Sequence, residues 1–385
     1  MTRILRINIP FITGRCDYYG RPLYRDTPPA VKHAYLDALL AEARSLAADI
    51  EQPFEQICFT NGAIGTIEAD RLRAFLRELE AILPFAPDCT TTAEVDPGLL
   101  STALAGELNA AHTSLLRFYY ATSNAIESER LERPSSVIEM TKTIIVLESA
   151  ELLRRDMQVL VGFAGQTENS LLGTLREAVL ASGVVHCTLV PAAGEMAADA
   201  ATAAQLYRVA AAFLEEHGFA RYTPTCFGKD GFRIAEETQR HTDAAVVSLG
   251  PSTVSYSEGL TWANTGDIDA YITHADNPEA IVAYAAEDTA AVVAARETVR
   301  KLYALQGVSA EAPLHRGTPR RRPAQDRRTQ RGVAQRRRMP GLRRRGHPHH
   351  ERVGCISPIR RSIPSPPSHA PADPLLRGRF VHCSC

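Results

Sequence analysis

The stretch EQICFTNGAIGTIEADRLRAFLRELEAILPFAPDCTTTAEVD (55–96) decides the fold class. EQICFTN is apolar and β-rich, and a turn containing Gly62 and Gly65 follows it. ADRLRAFLRELEAIL (69–83) then sets Leu72, Phe75, Leu76 and Leu79 on one helical face, and TTTAEVD (90–96) is β-rich again. A strand, a helix and a strand in that order form a crossover unit. Parallel strands need a connection long enough to bring the chain back to the same end of the sheet.

The unit repeats on both sides. β-rich runs stand at ILRINIP (4–10), LLRFYYAT (115–122), MQVLVGF (157–163), VVHCTLV (184–190) and RYTPTCF (221–227). Helical periodicity fills 31–50, 135–153, 169–182 and 203–217. Six or seven strands with intervening helices predict a parallel α/β sheet. It is either barrel-like or open and doubly wound, and the pattern alone does not separate the two. Both shapes place chemistry at the C-terminal strand ends. There the sequence has PFITGRCDYYG (10–20), TNGAIGT (60–66), Glu94 with Asp96, and GFAGQT (162–167). From about 240 to 275 the pattern is a strand, a Gly-Pro turn, another strand and a helix start at Asp267, and 287–306 is helical.

The 385 residues are 45% hydrophobic and 23% charged, enough for one large domain with an extension. No apolar run approaches a membrane span, and MTRILRINIP is not a signal sequence, so a cytoplasmic protein is expected. The eight cysteines are scattered with no CxxC pair, which argues against a disulfide framework. The net charge of −1 hides a split. Residues 1–310 carry 25 basic and 40 acidic residues, whereas 311–385 carry 18 Arg, no Lys and four acids. The last segment also holds 11 of the 24 prolines and a single aromatic, Phe380. Such a composition buries no core and predicts a disordered tail. Its lack of Lys is what GC-rich coding sequence yields when read out of frame. The alternative is a basic arm that contacts nucleic-acid phosphates.

RINIPFITGRCDYYG (6–20) resembles the opening of the radical S-adenosylmethionine (SAM) enzymes, in the branch of the oxygen-independent coproporphyrinogen III oxidases and related methylases. In that family an IPF strand end leads into CxxxCxYCG, whose three thiolates hold a [4Fe–4S] cluster; SAM binds the remaining iron. Here those ligand positions are Ile12, Cys16 and Tyr19, so Cys16 is the only surviving cluster-ligand position, flanked by Tyr18 and Gly20. Further segments follow in the family's order. TNGAI (60–64) stands where the family has GGGTP and keeps Gly62; AEVDPGLL (93–100) puts Glu94 at a cofactor-contacting position. YYATSN (119–124) has Ala121 where the family has Gln and keeps Asn124, and Arg133 falls at the cofactor-binding Arg. MQVLVGFAGQT (157–167) resembles the fifth strand, with Gln158 replacing an acid; LGPSTVSY (249–256) and WANTGDIDAYI (262–272) resemble two later motifs.

The resemblance implies a partial (β/α) TIM-like barrel over 1–235, a small α+β extension over 236–310, and the tail over 311–385. It implies SAM and a [4Fe–4S] cluster as cofactors, with Tyr18, Gly62, Glu94 and Arg133 binding the former. It also implies a small-molecule substrate, tetrapyrrole or heteroaromatic, and oxidative decarboxylation or methyl transfer by radical chemistry. One thiolate does not hold a cubane that takes three, so the cluster is expected to be absent and the activity impaired. The alternatives are a non-catalytic tetrapyrrole- or partner-binding relative, a natural-product methylase, and a decayed gene product. Phe118, Tyr119, Tyr120 and Trp262 are expected in cores, and His241 is read as a lone surface histidine.

Overall fold

The computed structural model describes residues 3–14, 22–132, 137–152, 154–181, 183–239, 245–257 and 259–305. Cys16, Tyr18, Tyr19, Arg133, His241 and the 311–385 tail lie outside the described residues.

The strands are β1 (Ile4–Asn8), β2 (Phe11–Ile12), β3 (Tyr24–Arg25), β4 (Phe54–Thr60), β5 (Phe85–Val95), β6 (Thr113–Tyr119), β7 (Arg155–Val161) and β8 (Val184–Pro191), then β9 (Phe219–Arg221), β10 (Cys226–Lys229), β11 (Val246–Leu249), β12 (Val254–Ser257), β13 (Leu260–Asn264) and β14 (Val282–Glu287). All but β2 and β3 join one sheet, ordered β14-β13-β12-β11-β1-β4-β5-β6-β7-β8-β10-β9. From β11 through β1 to β8 neighbouring strands are parallel, and both ends of the sheet are antiparallel. Between β1 and β8 the spatial order follows the chain without reversal. A doubly wound sheet reverses at a switch point; this one does not. Every right-handed crossover therefore returns its helix to the same face, and the sheet curls about the other as a partial barrel.

The helices are α1 (Pro29–Leu46), α2 (Ala69–Ile82), α3 (Thr102–Ala110), α4 (Ala125–Arg130), α5 (Val137–Ser149), α6 (Glu168–Leu180), α7 (Ala200–Glu216), α8 (Ala235–Gln239), α9 (Ile268–His274), α10 (Pro278–Ile281) and α11 (Ala290–Tyr303). Pro29 starts α1, where a missing N–H is no loss. Asp267 caps α9 by accepting from Asp269 and Ala270, which places that helix start where the sequence puts it. The outward strand residues Leu5, Ile7, Ile57, Phe59, Val95, Phe118 and Val159 pack with Leu39, Leu72, Phe75, Leu104 and Leu171 of the helices. Each such side chain fully buried is worth about 1.5–3 kcal/mol. Phe118, Tyr119, Tyr120 and Trp262 are all buried, as expected.

The run RYTPTCF departs from expectation. It is not one parallel strand: β9 and β10 pair antiparallel with each other, and β10 pairs antiparallel with β8. Pro224 carries no N–H, and the Thr223 hydroxyl takes the Cys226 N–H instead (3.0 Å), so the chain turns between them.

Besides the pairing of β11 with β1, the segments after β11 are tied to α1 through Glu42, a buried residue of that helix. Its Oε2 accepts from the Gly250 N–H (2.9 Å) and the Tyr271 hydroxyl (2.5 Å), and its Oε1 from Asn264 Nδ2 (2.7 Å). Gly250 has φ +108°, and a Cβ there would lie 2.7 Å from the Tyr35 hydroxyl and 2.9 Å from Asn8 Cβ. At the far side of the extension, Arg296 of α11 pairs with Asp288 (2.9 Å) and lies 4.0 Å over the Tyr256 ring.

Candidate active site

The C-terminal mouth of the barrel is built around β2. Ile12, which the motif resemblance sets at the first cluster-ligand position, is 2% exposed. It packs with Tyr119, Ala121, Leu131, Leu160 and Phe163, and Leu23, Val190, Ala192 and Met196 pack against that cluster. Ala121 is thus part of an apolar lining.

Gly62 is fixed by packing. A Cβ there would overlap the carbonyl oxygens of Ile9 and Phe11, and the neighbouring Ala63 N–H donates to the Phe11 carbonyl (2.9 Å). The glycine lets the turn after β4 lie directly on the IPF segment. The GFAGQT segment is likewise held by itself. Gln166 Oε1 accepts from the Gly162 N–H (2.7 Å) and its Nε2 donates to the Leu160 carbonyl (2.9 Å). Thr167 caps α6 in a reciprocal pair with Ser170, and Asn124 caps α4.

Glu94 is 3% exposed at the end of β5 and points into the barrel. The Tyr119 hydroxyl donates to its Oε2, and Gln158 Nε2 to its Oε1 (3.3 Å). Gln158 stands where the family has an acid, and its carboxamide supplies a donor where a second carboxylate would repel Glu94.

One level deeper lies a feature that sequence reading did not single out. Glu94, Arg117, Asp156 and His186 are register partners on β5, β6, β7 and β8. They form a row of alternating charge across four strands, where barrels usually layer branched apolar residues. Arg117 Nε donates to Asp156 Oδ2 (2.9 Å), and Arg117 Nη1 lies 3.2 Å from Glu237 and 3.9 Å from Glu94. His186 Nδ1 meets Asp156 Oδ1 (2.7 Å), and its Nε2 meets the Tyr222 hydroxyl (2.8 Å). Arg6 of β1 pairs with Glu236 (2.9 Å). Burial opposes the charge on Arg117, but Asp156, Glu237, Glu94 and Glu236 outweigh it and hold its pKa well above the ordinary value. Burial would raise the Asp156 pKa, yet His186 and Arg117 keep it well below the usual carboxylate range. Burial would lower that of His186, yet Asp156 pushes it up to about 9. The available signal was the parity of each strand. Arg117 in LLRFYY, Asp156 and Gln158 in RDMQV, and His186 in VVHCT each stand at alternating positions that face inward.

Of the predicted site residues, the structure places Gly62 at the barrel mouth and Glu94 inside it. Cys16, Tyr18 and Arg133 lie outside the described residues. Among the described residues no group of three or more His, Cys, Asp or Glu is arranged to hold a metal ion. Cys58, Cys187 and Cys226 are buried in three different strands. No helix among the described residues is long and apolar enough to cross a membrane.

No protein-family model and no curated sequence matches the chain. Solved structures do. The coproporphyrinogen III oxidase of Escherichia coli, a radical SAM enzyme, superposes with a TM-score of 0.69 at 15% identity, covering 79% of this chain and 76% of that one. A radical SAM methyltransferase of Kitasatospora setae gives a TM-score of 0.33 at 14% identity over 47% of this chain and 36% of that one. Methylornithine synthase gives 0.36 at 14% identity over 51% and 56%. The chain has the fold of the radical SAM enzymes, in the arrangement seen in coproporphyrinogen III oxidase.

Proposed function

We propose that this chain is a member of the coproporphyrinogen-oxidase-like branch of the radical SAM superfamily that has lost the radical reaction and acts as a non-catalytic, tetrapyrrole- or partner-binding relative. The carrying observation is Ile12. The position that supplies a cluster thiolate in the family is here a hydrocarbon side chain, 2% exposed, packed among Tyr119, Ala121, Leu131, Leu160 and Phe163. With its three thiolates a [4Fe–4S] cluster is monoanionic or dianionic, and the hydrocarbon side chain of Ile12 offers it no ligand. With Tyr19 at the third position, one thiolate remains, that of Cys16. The donor set does not fit the group, and no reaction step runs through it here.

The pairing at Glu94 supports the same reading. Its two oxygens are engaged by Tyr119 and Gln158 rather than directed to an amine. Anaerobic reconstitution with iron and sulfide tests the proposal. The expected result is no stoichiometric iron, no visible cluster absorption, and no binding of SAM in calorimetry. Four irons per chain, lost in Cys16→Ala, or SAM bound at micromolar Kd and lost in Glu94→Ala, would overturn it.

A further inference from the structure

The carboxylate of Glu236 sits where a ligand's carboxylate would sit. Arg6 comes from β1 and Arg117 from β6, with β4 and β5 between them in the sheet. Their guanidinium groups nonetheless converge on this one side chain: Arg6 Nη2 lies 2.9 Å from Oε1 and Arg117 Nη1 lies 4.0 Å from Oε2. Arg6 approaches in a forked manner, its Nε also donating to Oε1 at 2.9 Å. The next residue, Glu237, reaches Arg117 Nη1 at 3.2 Å. Both carboxylates come from α8, a single short turn of helix that belongs to no strand of the barrel. Both are buried, with side chains 1% and 6% exposed.

The row inside the barrel has its own acids. Asp156 and Glu94 already face Arg117, and His186 is paired to Asp156. With α8 in place, two guanidinium groups and one imidazole meet four carboxylates; without it, the same cations meet two. Within this row the α8 carboxylates are therefore the surplus. Arg6 grips Oε1 through two nitrogens and Arg117 stands 4.0 Å from Oε2, beyond hydrogen-bond reach; two guanidinium groups facing one carboxylate are the donors that recognise a carboxylate ligand.

We infer that Arg6 and Arg117 form an anion site in the barrel interior for a small dicarboxylate, and that Glu236 and Glu237 of α8 occupy it as an internal plug. Exchange is electrostatically even-handed, because one carboxylate replaces another at the same guanidinium groups. What opposes the ligand is the high local concentration of a tethered competitor. What favours it is the freedom α8 regains on release. Besides these ion pairs α8 is held by Ile234, buried just before it, whose N–H donates to the Tyr222 hydroxyl (3.1 Å), and by the contact of Glu236 with the Cys58 thiol. The inference uses no cluster and no SAM, so it stands or falls separately from the proposed loss of radical chemistry.

The test uses glutarate on the full chain in air. Calorimetry should show at least tenfold tighter glutarate binding to the Glu236→Gln/Glu237→Gln variant than to the wild type, and Arg6→Gln added to that variant should cancel the gain. In the wild type, hydrogen exchange of the peptide spanning α8 should quicken at saturating glutarate and not in sodium chloride of equal ionic strength. If the double variant does not fold, the exchange experiment decides alone. Unchanged glutarate affinity in the folded double variant, a gain that survives Arg6→Gln, or exchange at α8 indifferent to glutarate would each overturn the inference.

Discussion

Replacing Glu42 by Gln tests how much a buried carboxylate adds to the β1–β11 ladder in holding the turn after β11, Asn264 and Tyr271 against α1. Three donors converge on its two oxygens: the Gly250 N–H, the Tyr271 hydroxyl and Asn264 Nδ2. A carboxamide keeps one acceptor and turns the other oxygen into a donor. With the Gln oxygen facing Gly250 and Tyr271, its NH2 meets the Asn264 NH2. Asn264 then has to rotate its amide and give up the bond from Nδ2 to the Gly250 carbonyl (3.0 Å). One hydrogen bond to a charged group is lost, about 1.5–3 kcal/mol. For a domain of this size that lowers the melting temperature by roughly 3–8 °C. Glu42→Ala removes all three acceptor contacts and leaves a hole, which takes the loss beyond about 4 kcal/mol. Tyr271→Phe removes one of the same contacts, so the double variant Glu42→Gln/Tyr271→Phe should lose less than the two single losses added. Calorimetric melting of the four proteins is the assay. Glu78→Gln is the control, since its pair with Arg44 is more than half exposed on both sides and contributes at most about 1 kcal/mol. A Glu42→Gln protein as stable as the wild type, or more so, would refute the reasoning. It would mean that burying the charge costs as much as its three bonds return.

The interior row gives a pH dependence. His186 has its pKa raised to about 9, above an unfolded value near 6.5. Its contribution, up to about 3 kcal/mol, is complete below about pH 6.5 and lost as the pH rises through about 9. Asp156 is lowered, so its share is present above its unfolded pKa and lost as the pH falls toward the folded one. Urea unfolding from pH 6 to 10 should show the alkaline fall in wild type and a flatter curve in His186→Asn. Glycines separate by geometry. Gly250→Ala, at φ +108° and against Tyr35 and Asn8, should cost about 3 kcal/mol or more. Gly106→Ala, inside α3 with open space around it, should stabilise by about 0.5–1 kcal/mol. Equal thermal shifts for the two would contradict the assignment.

Much of the barrel was legible because outward strand positions and helix faces obey simple periods: Leu72, Phe75, Leu76 and Leu79 were read as one face and all four are buried. The choice between barrel and doubly wound sheet was not, because it depends on spatial strand order and not on local pattern. The motif resemblance supplied it and the order of β1 to β8 agrees. The two antiparallel strands in place of RYTPTCF escaped because a β-rich composition conceals a turn whose cause is a Thr hydroxyl and a proline. Glu42 escaped because an acid on an amphipathic helix is ordinarily solvated; its donors lie more than 200 residues away. The motifs LGPSTVSY and WANTGDIDAYI gave half of that clamp, since Gly250, Asn264 and Tyr271 are their members. At the mouth, the substitution at position 12 was visible in sequence, whereas the apolar cluster that receives Ile12 was not. Its members come from β2, β6, β7 and the segments that follow them.

The place of β1 in the sheet sets a timetable for synthesis. Of the strands in this sheet β1 is synthesised earliest, yet it is not an edge strand: it lies between β4 and β11, with Ile4 opposite both Gln56 and Val246. One side of β1 finds its partner within some fifty residues. The other side waits for a strand that begins at Val246. At roughly 5–20 residues per second, translation leaves that side open for on the order of 10–50 s. During that interval a nascent half-sheet carries an unpaired, apolar edge made of Leu5 and Ile7, the kind of edge that recruits foreign strands. Slow codons or a holding chaperone between residues 60 and 250 would therefore change the yield of soluble protein without changing a single native contact.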